Sequence, residues 1–351
     1  MDSLTQFALG AAIGTVTLSR RIGPRRAALT GGLLGTLPDL DVFLPMDGPI
    51  DSFVEHRGWT HSLIIHALLA IPIAEGLKRL FSARAPDLSR LSLWGIVALI
   101  LMTHALLDWT TTYGTRILWP LSDTPYALSW IFIIDPLYSV PLLVAVIGAF
   151  IAGARWRGVR RAATVALVVS TAYLGWTGIS QQIAETKVRE ALAAGGIVPE
   201  QVTMIPMPFN SLLWRGIAID GDRYLNVYRS VFDQRADATL HAHPRNLMFD
   251  AALDEYLPPQ RLESFSQGNY AYRRDGLDIL ISDIRMGVTP DYVFTFKVGE
   301  IRDLAALESA EIDPRQTIAP APIARVQADR DLSGFGWVLR RILDEDAVRA
   351  E

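Results

Sequence analysis

Long apolar runs separated by arginine-rich segments fill the first half of the chain and constrain it most. Up to about Ser180 hydrophobic stretches alternate with short cationic clusters; from Gln181 onward the sequence turns polar and mixed. A backbone placed in lipid must satisfy its own hydrogen bonds, so such runs predict helices. Six candidate spans follow: Leu4–Leu18, Ala27–Leu44, Ser62–Phe81, Leu93–Leu107, Ile131–Ile151 and Ala162–Ile179. Several fall short of the ~20 residues that a crossing helix usually needs. The expected fold is a membrane all-α helical bundle of about six transmembrane helices over residues 1–180. A C-terminal soluble α+β domain is expected over residues 181–351.

The cations set an orientation. Arg20, Arg21, Arg25 and Arg26 follow the first run; Lys78, Arg79, Arg84 and Arg90 follow the third; Arg155, Arg157, Arg160 and Arg161 follow the fifth. The remaining connections hold only Arg57 and Arg116. Short cationic loops stay in the cytoplasm, so the N-terminus, the segment around His56 and the C-terminal domain are expected outside. The N-terminus lacks a basic stretch ahead of its apolar part, so it is read as a retained membrane helix rather than a signal peptide. A net charge of −4 with no basic block argues against a nucleic-acid partner. The absence of cysteine excludes disulfides and thiolate metal sites.

This orientation, set by Arg and Lys alone, gathers a second class of residue at one membrane face. Asp39 and Asp41 lie in LPDLD, His56 and His61 in HRGWTHS, His104 and Asp108 in HALLD, and Asp135 in FIIDP; Asp2 and Gln6 open the first run. His104 and Asp108 are four apart and share a helix face. His56 and His61 are five apart, but Gly58 permits a turn between them and Thr60 is placed to cap the helix beginning near Ser62. Asp39 and Asp41 flank a single residue after Pro38, so in an extended or turned segment both carboxylates can point one way. Imidazole with carboxylate suits zinc, manganese or iron. The expected metal ligands are therefore Asp39, Asp41, His56, His61, His104 and Asp108, with zinc the foremost ion and Asp41 and Asp108 the catalytic carboxylates. Ionisable groups at membrane depth are costly, which makes them candidates for function.

Other residues have simpler readings. His66, deeper in the third run, is expected as a packed or hydrogen-bonded core histidine, and Asp135 before Pro136 as a helix cap or, alternatively, a ligand or a group supporting one. The run Thr110–Thr115 is read either as donors to Asp108 or a substrate, or as the end of its helix. Arg57 is placed to meet a phosphate or a lipid headgroup. His241 and His243 are expected as exposed strand or loop residues.

MDSLTQ, GTLPDLD, HRGWTHS, HALLDWTTTYGT and IFIIDPLY together resemble the YdjM/YbcI-type family of bacterial inner-membrane, metal-dependent hydrolases over about residues 1–150. The resemblance implies an integral membrane hydrolase with a His/Asp metal centre, carried here by His56, His61, His104 and Asp108 beside Asp39 and Asp41. It implies the inner membrane as the location and leaves the substrate open.

In the second half, Gln181–Ala194 reads as an amphipathic helix ended by Gly195–Gly196. Ser211–Ile219 and Tyr224–Phe232 flank the turn signal Asp220–Asp222, and Asp275–Gly276 is a second. A short helix is expected at Phe335–Leu343. No nucleophile elbow, P-loop or dinucleotide fingerprint occurs. This domain is read as a lid or a substrate-presenting module. The function expected is hydrolysis of a lipid-linked or amphiphilic ester or phosphoester at the outer membrane face, with membrane lipid as partner. The competing readings are a transporter, which would place ionisable groups along a mid-membrane path, and an anchor for a partner-binding domain.

Overall fold

The computed structural model describes residues 1–153, 158–309, 313–327, 334–349 and 351, so Arg155 and Arg157 of the expected cytoplasmic loop lie outside the described residues. Seven helices come first: α1 (Ser3–Ile22), α2 (Pro24–Thr36), α3 (Pro49–Glu55), α4 (Leu63–Leu80), α5 (Arg90–Trp109), α6 (Pro136–Ala152) and α7 (Val159–Ala194). Two 3-10 turns, Pro38–Phe43 and Trp59–His61, interrupt them.

The expectation of about six membrane spans is not met. Among the described residues, two helices are long and apolar enough to cross a membrane, α5 and α7. The others fail for separate reasons. Helix α2, with 13 residues, is only about 20 Å long at 1.5 Å per residue, against a hydrocarbon core of roughly 30 Å. Helix α6 stops at 17 residues. Helix α4 carries Glu75, Lys78 and Arg79 in its last turns, and α1 opens with Ser3, Thr5 and Gln6 and closes with Arg20 and Arg21. Nor is the chain simply an all-α bundle with a tail: helix and sheet are mixed, and 3-10 turns sit inside the helical half.

The chain divides into two compact units. The first comprises Met1–Leu44, Arg57–Ile179 and Pro208–Ser211; the second comprises Pro45–His56, Ser180–Met207 and Leu212–Glu351. In the first, α1 and α2 form a hairpin at Gly23, whose φ of 85° suits a residue without Cβ. Gly10 and Gly14 on α1 face Gly31 and Gly35 on α2 so closely that a Cβ on Gly31 would fall within 2.1 Å of the Gly10 carbonyl oxygen. Two small-xxx-small stripes thus let the backbones touch, as in membrane helix pairs. Pro38 ends α2 by starting the 3-10 turn. Ser62, rather than Thr60, caps α4, accepting from the Ile65 amide at 3.3 Å. Asp135 caps α6, accepting from Leu137 N–H at 2.9 Å.

The second unit holds strands β1 (Gln201–Pro206), β2 (Leu213–Asp220), β3 (Arg223–Ser230) and β4 (His241–Pro244) in an antiparallel sheet in that order. Helices α8 (Leu247–Ala252) and α9 (Leu257–Phe265) lead to β5 (Tyr270–Asp275), β6 (Asp278–Asp283), β7 (Gly287–Val288), β8 (Asp291–Tyr292), β9 (Thr295–Ile301) and β10 (Ile318–Val326). The second sheet runs β10-β9-β6-β5. Both sequence turn signals fall at hairpins, with Asp220 paired to Arg223 and Asp275 to Asp278. The polar end of α7 packs Val188 and Leu192 against Trp214, Leu225 and Val227 of the first sheet. The last helix runs Phe335–Arg341.

Candidate metal centre

Four of the six expected ligands converge in the first unit. One ligand atom from each of Asp39, His61, His104 and Asp108 lies within 4.8 Å of all the others. His61 Nε2 is 3.1 Å from His104 Nε2 and 3.2 Å from Asp108 Oδ2, and His104 Nε2 is 3.3 Å from that oxygen. Asp39 Oδ1 stands 3.5 Å from His61 Nε2 and 3.4 Å from His104 Nε2. Tetrahedral bonds of roughly 2.0–2.1 Å, usual for zinc to nitrogen or oxygen, place ligands about 3.3 Å apart. Five of the distances between these atoms therefore match the edges of such a tetrahedron.

Hydrogen bonds on the far side of each ring turn the Nε2 atoms toward this centre. His104 Nδ1 lies 2.7 Å from the Gly35 carbonyl oxygen, an acceptor only, so this nitrogen is assigned the proton. Thr60 Oγ1 spends its proton on Asp41 Oδ2 at 2.8 Å and therefore accepts from His61 Nδ1 at 3.0 Å. With both Nδ1 atoms engaged in this way, the two Nε2 atoms face one another across the centre. Asp108 Oδ2 is buried, and its nearest partners among the described residues are these two imidazole nitrogens. Two imidazole nitrogens and two carboxylate oxygens gathered at this spacing form a donor set that fits a divalent ion.

Surrounding groups hold this arrangement. The other oxygen of Asp108, Oδ1, accepts from Gln6 Nε2 at 3.1 Å, pairs with Arg57 Nη2 at 3.2 Å and is met by the Met1 nitrogen. Arg57 is buried and adopts a left-handed φ of 61°. Its amide bonds to Asp41 Oδ2 at 3.1 Å and its carbonyl accepts from Arg116 N–H at 3.0 Å, which aims the guanidinium at Asp108. Arg57 Nη1 also donates to Thr111 Oγ1 at 2.8 Å, and its guanidinium lies 5.0 Å over Tyr113. Burial pushes the Asp39 carboxyl up, but the His104 and His61 imidazoles outweigh it and hold it below the usual carboxylate range. Asp39 is thus a stable anion.

The remaining sequence candidates are not among these four. Asp41 lies behind His61, with Oδ2 3.6 Å from Nδ1, on the side away from the cluster. His56 closes α3. That helix is held in the second unit by Phe53 on Phe265 and Phe294 and by Asp51 and Glu55 on Arg261, so His56 goes with it. His66 is buried, 2.7 Å from the Thr60 carbonyl oxygen. Thr110 and Thr111 bond back to the carbonyls of Leu107 and Asp108, ending α5. His241 and His243 sit on β4. Sequence reasoning missed the Gly35 carbonyl as the group that orients His104. Its signal was Gly31-xxx-Gly35 running directly into LPDLD, which couples the helix crossing to the site.

A family model described as YdjM inner membrane protein matches residues 1–184. The chain belongs to that family. Among curated relatives, this YdjM-family chain is 31 % identical over 130 residues to the inner membrane protein YbcI of Escherichia coli (strain K12), covering 36 % of this chain and 72 % of YbcI. It is 30 % identical over 152 residues to the uncharacterized protein YfhP of Bacillus subtilis (strain 168), covering 42 % of this chain and 45 % of YfhP. No solved structure matches the chain. The family match takes in all four cluster residues and ends within α7, so the sheets of the second unit lie beyond it.

Proposed function

We propose that this family member is a metal-dependent hydrolase of the inner membrane, with Asp39, His61, His104 and Asp108 holding one divalent ion, zinc foremost. The observation that carries the reading is the convergence of the two Nε2 atoms, 3.1 Å apart, with carboxylate oxygens of Asp39 and buried Asp108. An ion bound there would supply Lewis acidity and bring the pKa of a water in the site down to roughly 7. Asp41 and Asp108, the two carboxylates expected to be catalytic, divide the work. Asp108 faces the ion position, with its charge shared by Arg57 and Gln6. Asp41 steadies His61 through Thr60, as carboxylates behind metal-binding imidazoles do. Asp39, with 15 % of its side chain exposed, is the most open of the four and marks the side from which water and substrate arrive. Helices α5 and α7 cross the membrane in this reading.

The test combines metal analysis with chemistry. Wild type purified in detergent should carry about one equivalent of a divalent ion by the coordination logic above, and His61→Ala and His104→Ala should lose it. A panel of phosphoesters and carboxylic esters should reveal activity that chelation abolishes and metal restores. Equal metal in all three proteins would remove the site; full metal without chelator-sensitive turnover of any ester would remove the hydrolase and leave a metal-binding membrane protein.

A further inference from the structure

The segment that carries Asp39 has an unusual outer side. Between Leu37 and Leu44 the two carboxylates turn inward and Pro38 is buried, while every other side chain is apolar and open. Leu37 is 38 % exposed, Leu40 52 %, Val42 60 %, Phe43 81 % and Leu44 41 %. The 3-10 turn explains the split, since three residues per turn cannot bury all of Asp39–Phe43 on one side. Trp59, on the neighbouring turn that presents His61, is 45 % exposed as well.

Depth is fixed independently. His104 and Asp108 stand in the last two turns of α5, and a helix of 20 residues is about 30 Å long, the thickness of the hydrocarbon core. Its C-terminal end therefore reaches one membrane interface. Asp39, at 3.4 Å from His104, ties the Leu37–Leu44 segment to that level. Apolar side chains with a tryptophan at this depth are the pattern of an interfacial anchor.

We infer that Leu40, Val42, Phe43 and Trp59 form a collar set into the headgroup–acyl boundary, and that the substrate is a membrane lipid reaching the metal centre from the leaflet past Asp39. The inference rests on the hydrolase reading for its second half only. The bond broken is then an ester or phosphoester at the polar end of the lipid. The oxygen of water joins the acyl carbon or phosphorus, and its proton leaves with the departing alkoxide. A collar of this kind holds that bond beside the ion while the acyl chains remain in lipid, so the site never has to desolvate them.

Because the chain has no cysteine, single Phe43→Cys and Asp275→Cys proteins can be labelled with a nitrobenzoxadiazole dye. They are then reconstituted in phosphatidylethanolamine–phosphatidylglycerol vesicles containing doxyl-labelled lipid. The dye at residue 43 should emit blue-shifted and be quenched several-fold more than at residue 275, an exposed turn position. Phe43→Glu should keep the wild-type metal content and hydrolyse the vesicle lipids about ten-fold more slowly. Water-like, unquenched emission at residue 43, or wild-type lipid turnover by Phe43→Glu, overturns the inference. Quenching at residue 43 with metal bound but no lipid hydrolysis by wild type overturns lipid as substrate and retains the membrane-inserted collar. Loss of metal from the wild type itself overturns the hydrolase reading instead.

Discussion

Gly35 and His104 are joined by a 2.7 Å hydrogen bond from the imidazole Nδ1 to the glycine carbonyl oxygen. The same glycine lies in the α1–α2 crossing, where an added Cβ would come within 2.6 Å of the Gln6 carbonyl oxygen. One residue therefore serves helix packing and the orientation of a ring in the candidate metal centre. Gln6 in turn bonds Asp108, so the crossing touches the site twice.

Gly35→Ala is expected to force the two helices apart and destabilise the first unit by about 1–3 kcal/mol, the usual cost of overpacking. It should weaken metal binding as well, because the carbonyl that fixes His104 must move. Thermal unfolding in detergent, with metal analysis on the same sample, checks both. A stability loss with unchanged metal affinity would show that the His104 ring needs no such support.

Asp41 and His56 separate by their positions. Asp41→Asn should lower metal affinity by roughly 10- to 100-fold, the usual effect of altering a group behind a ligand, because Thr60 and His61 lose their anionic support. His56→Ala should bind metal as the wild type does, since His56 is not among the four clustered ligands. Titration with a competing chelator measures both. The reverse order of effects would place His56 at the ion.

Removing Arg57 leaves a buried anion short of a partner. Arg57→Met should cost about 3 kcal/mol or more, as breaking a buried ion pair generally does, with Asp108 losing its guanidinium at 3.2 Å. Arg57→Lys should recover part of the loss. An unchanged melting temperature for Arg57→Met would mean that Gln6 and the Met1 nitrogen suffice for Asp108.

The second unit should respond to pH through Glu263. Burial, with the Asp250 carboxylate nearby, pushes its carboxyl from 4.5 up to about 7, against the hydrogen bond donated by Tyr272 at 2.7 Å. A pKa raised on folding means that the protonated form is favoured in the folded state. The associated stability is complete below the unfolded carboxylate range and falls as pH rises from about 4.5 to about 7. Urea denaturation across that window should show the decline, and Glu263→Gln should flatten it. A parallel slope in both proteins assigns the pH response to another group.

By itself the sequence determined the chemistry available and much of the local structure. Glycine at the Asp220–Asp222 and Asp275–Gly276 signals marked two hairpins because only certain backbones turn there, and His104 with Asp108 at i and i+4 had to share a face of α5. Motif content was enough to point to the family. Hydrophobic runs, however, report burial without saying whether lipid or protein does the burying. Glycine-lined contact between α1 and α2 buries part of what looked like two spans, and short or charged ends remove α4 and α6 from the set. The choice among six candidate ligands also belonged to tertiary structure. Spacing along the chain fixes direction only within one element, whereas His61, Asp39 and His104 come from three. The docking of α3, led by Phe53, decided which neighbours His56 would have, and the hydroxyl of Thr60 decided that Asp41 would stand behind His61.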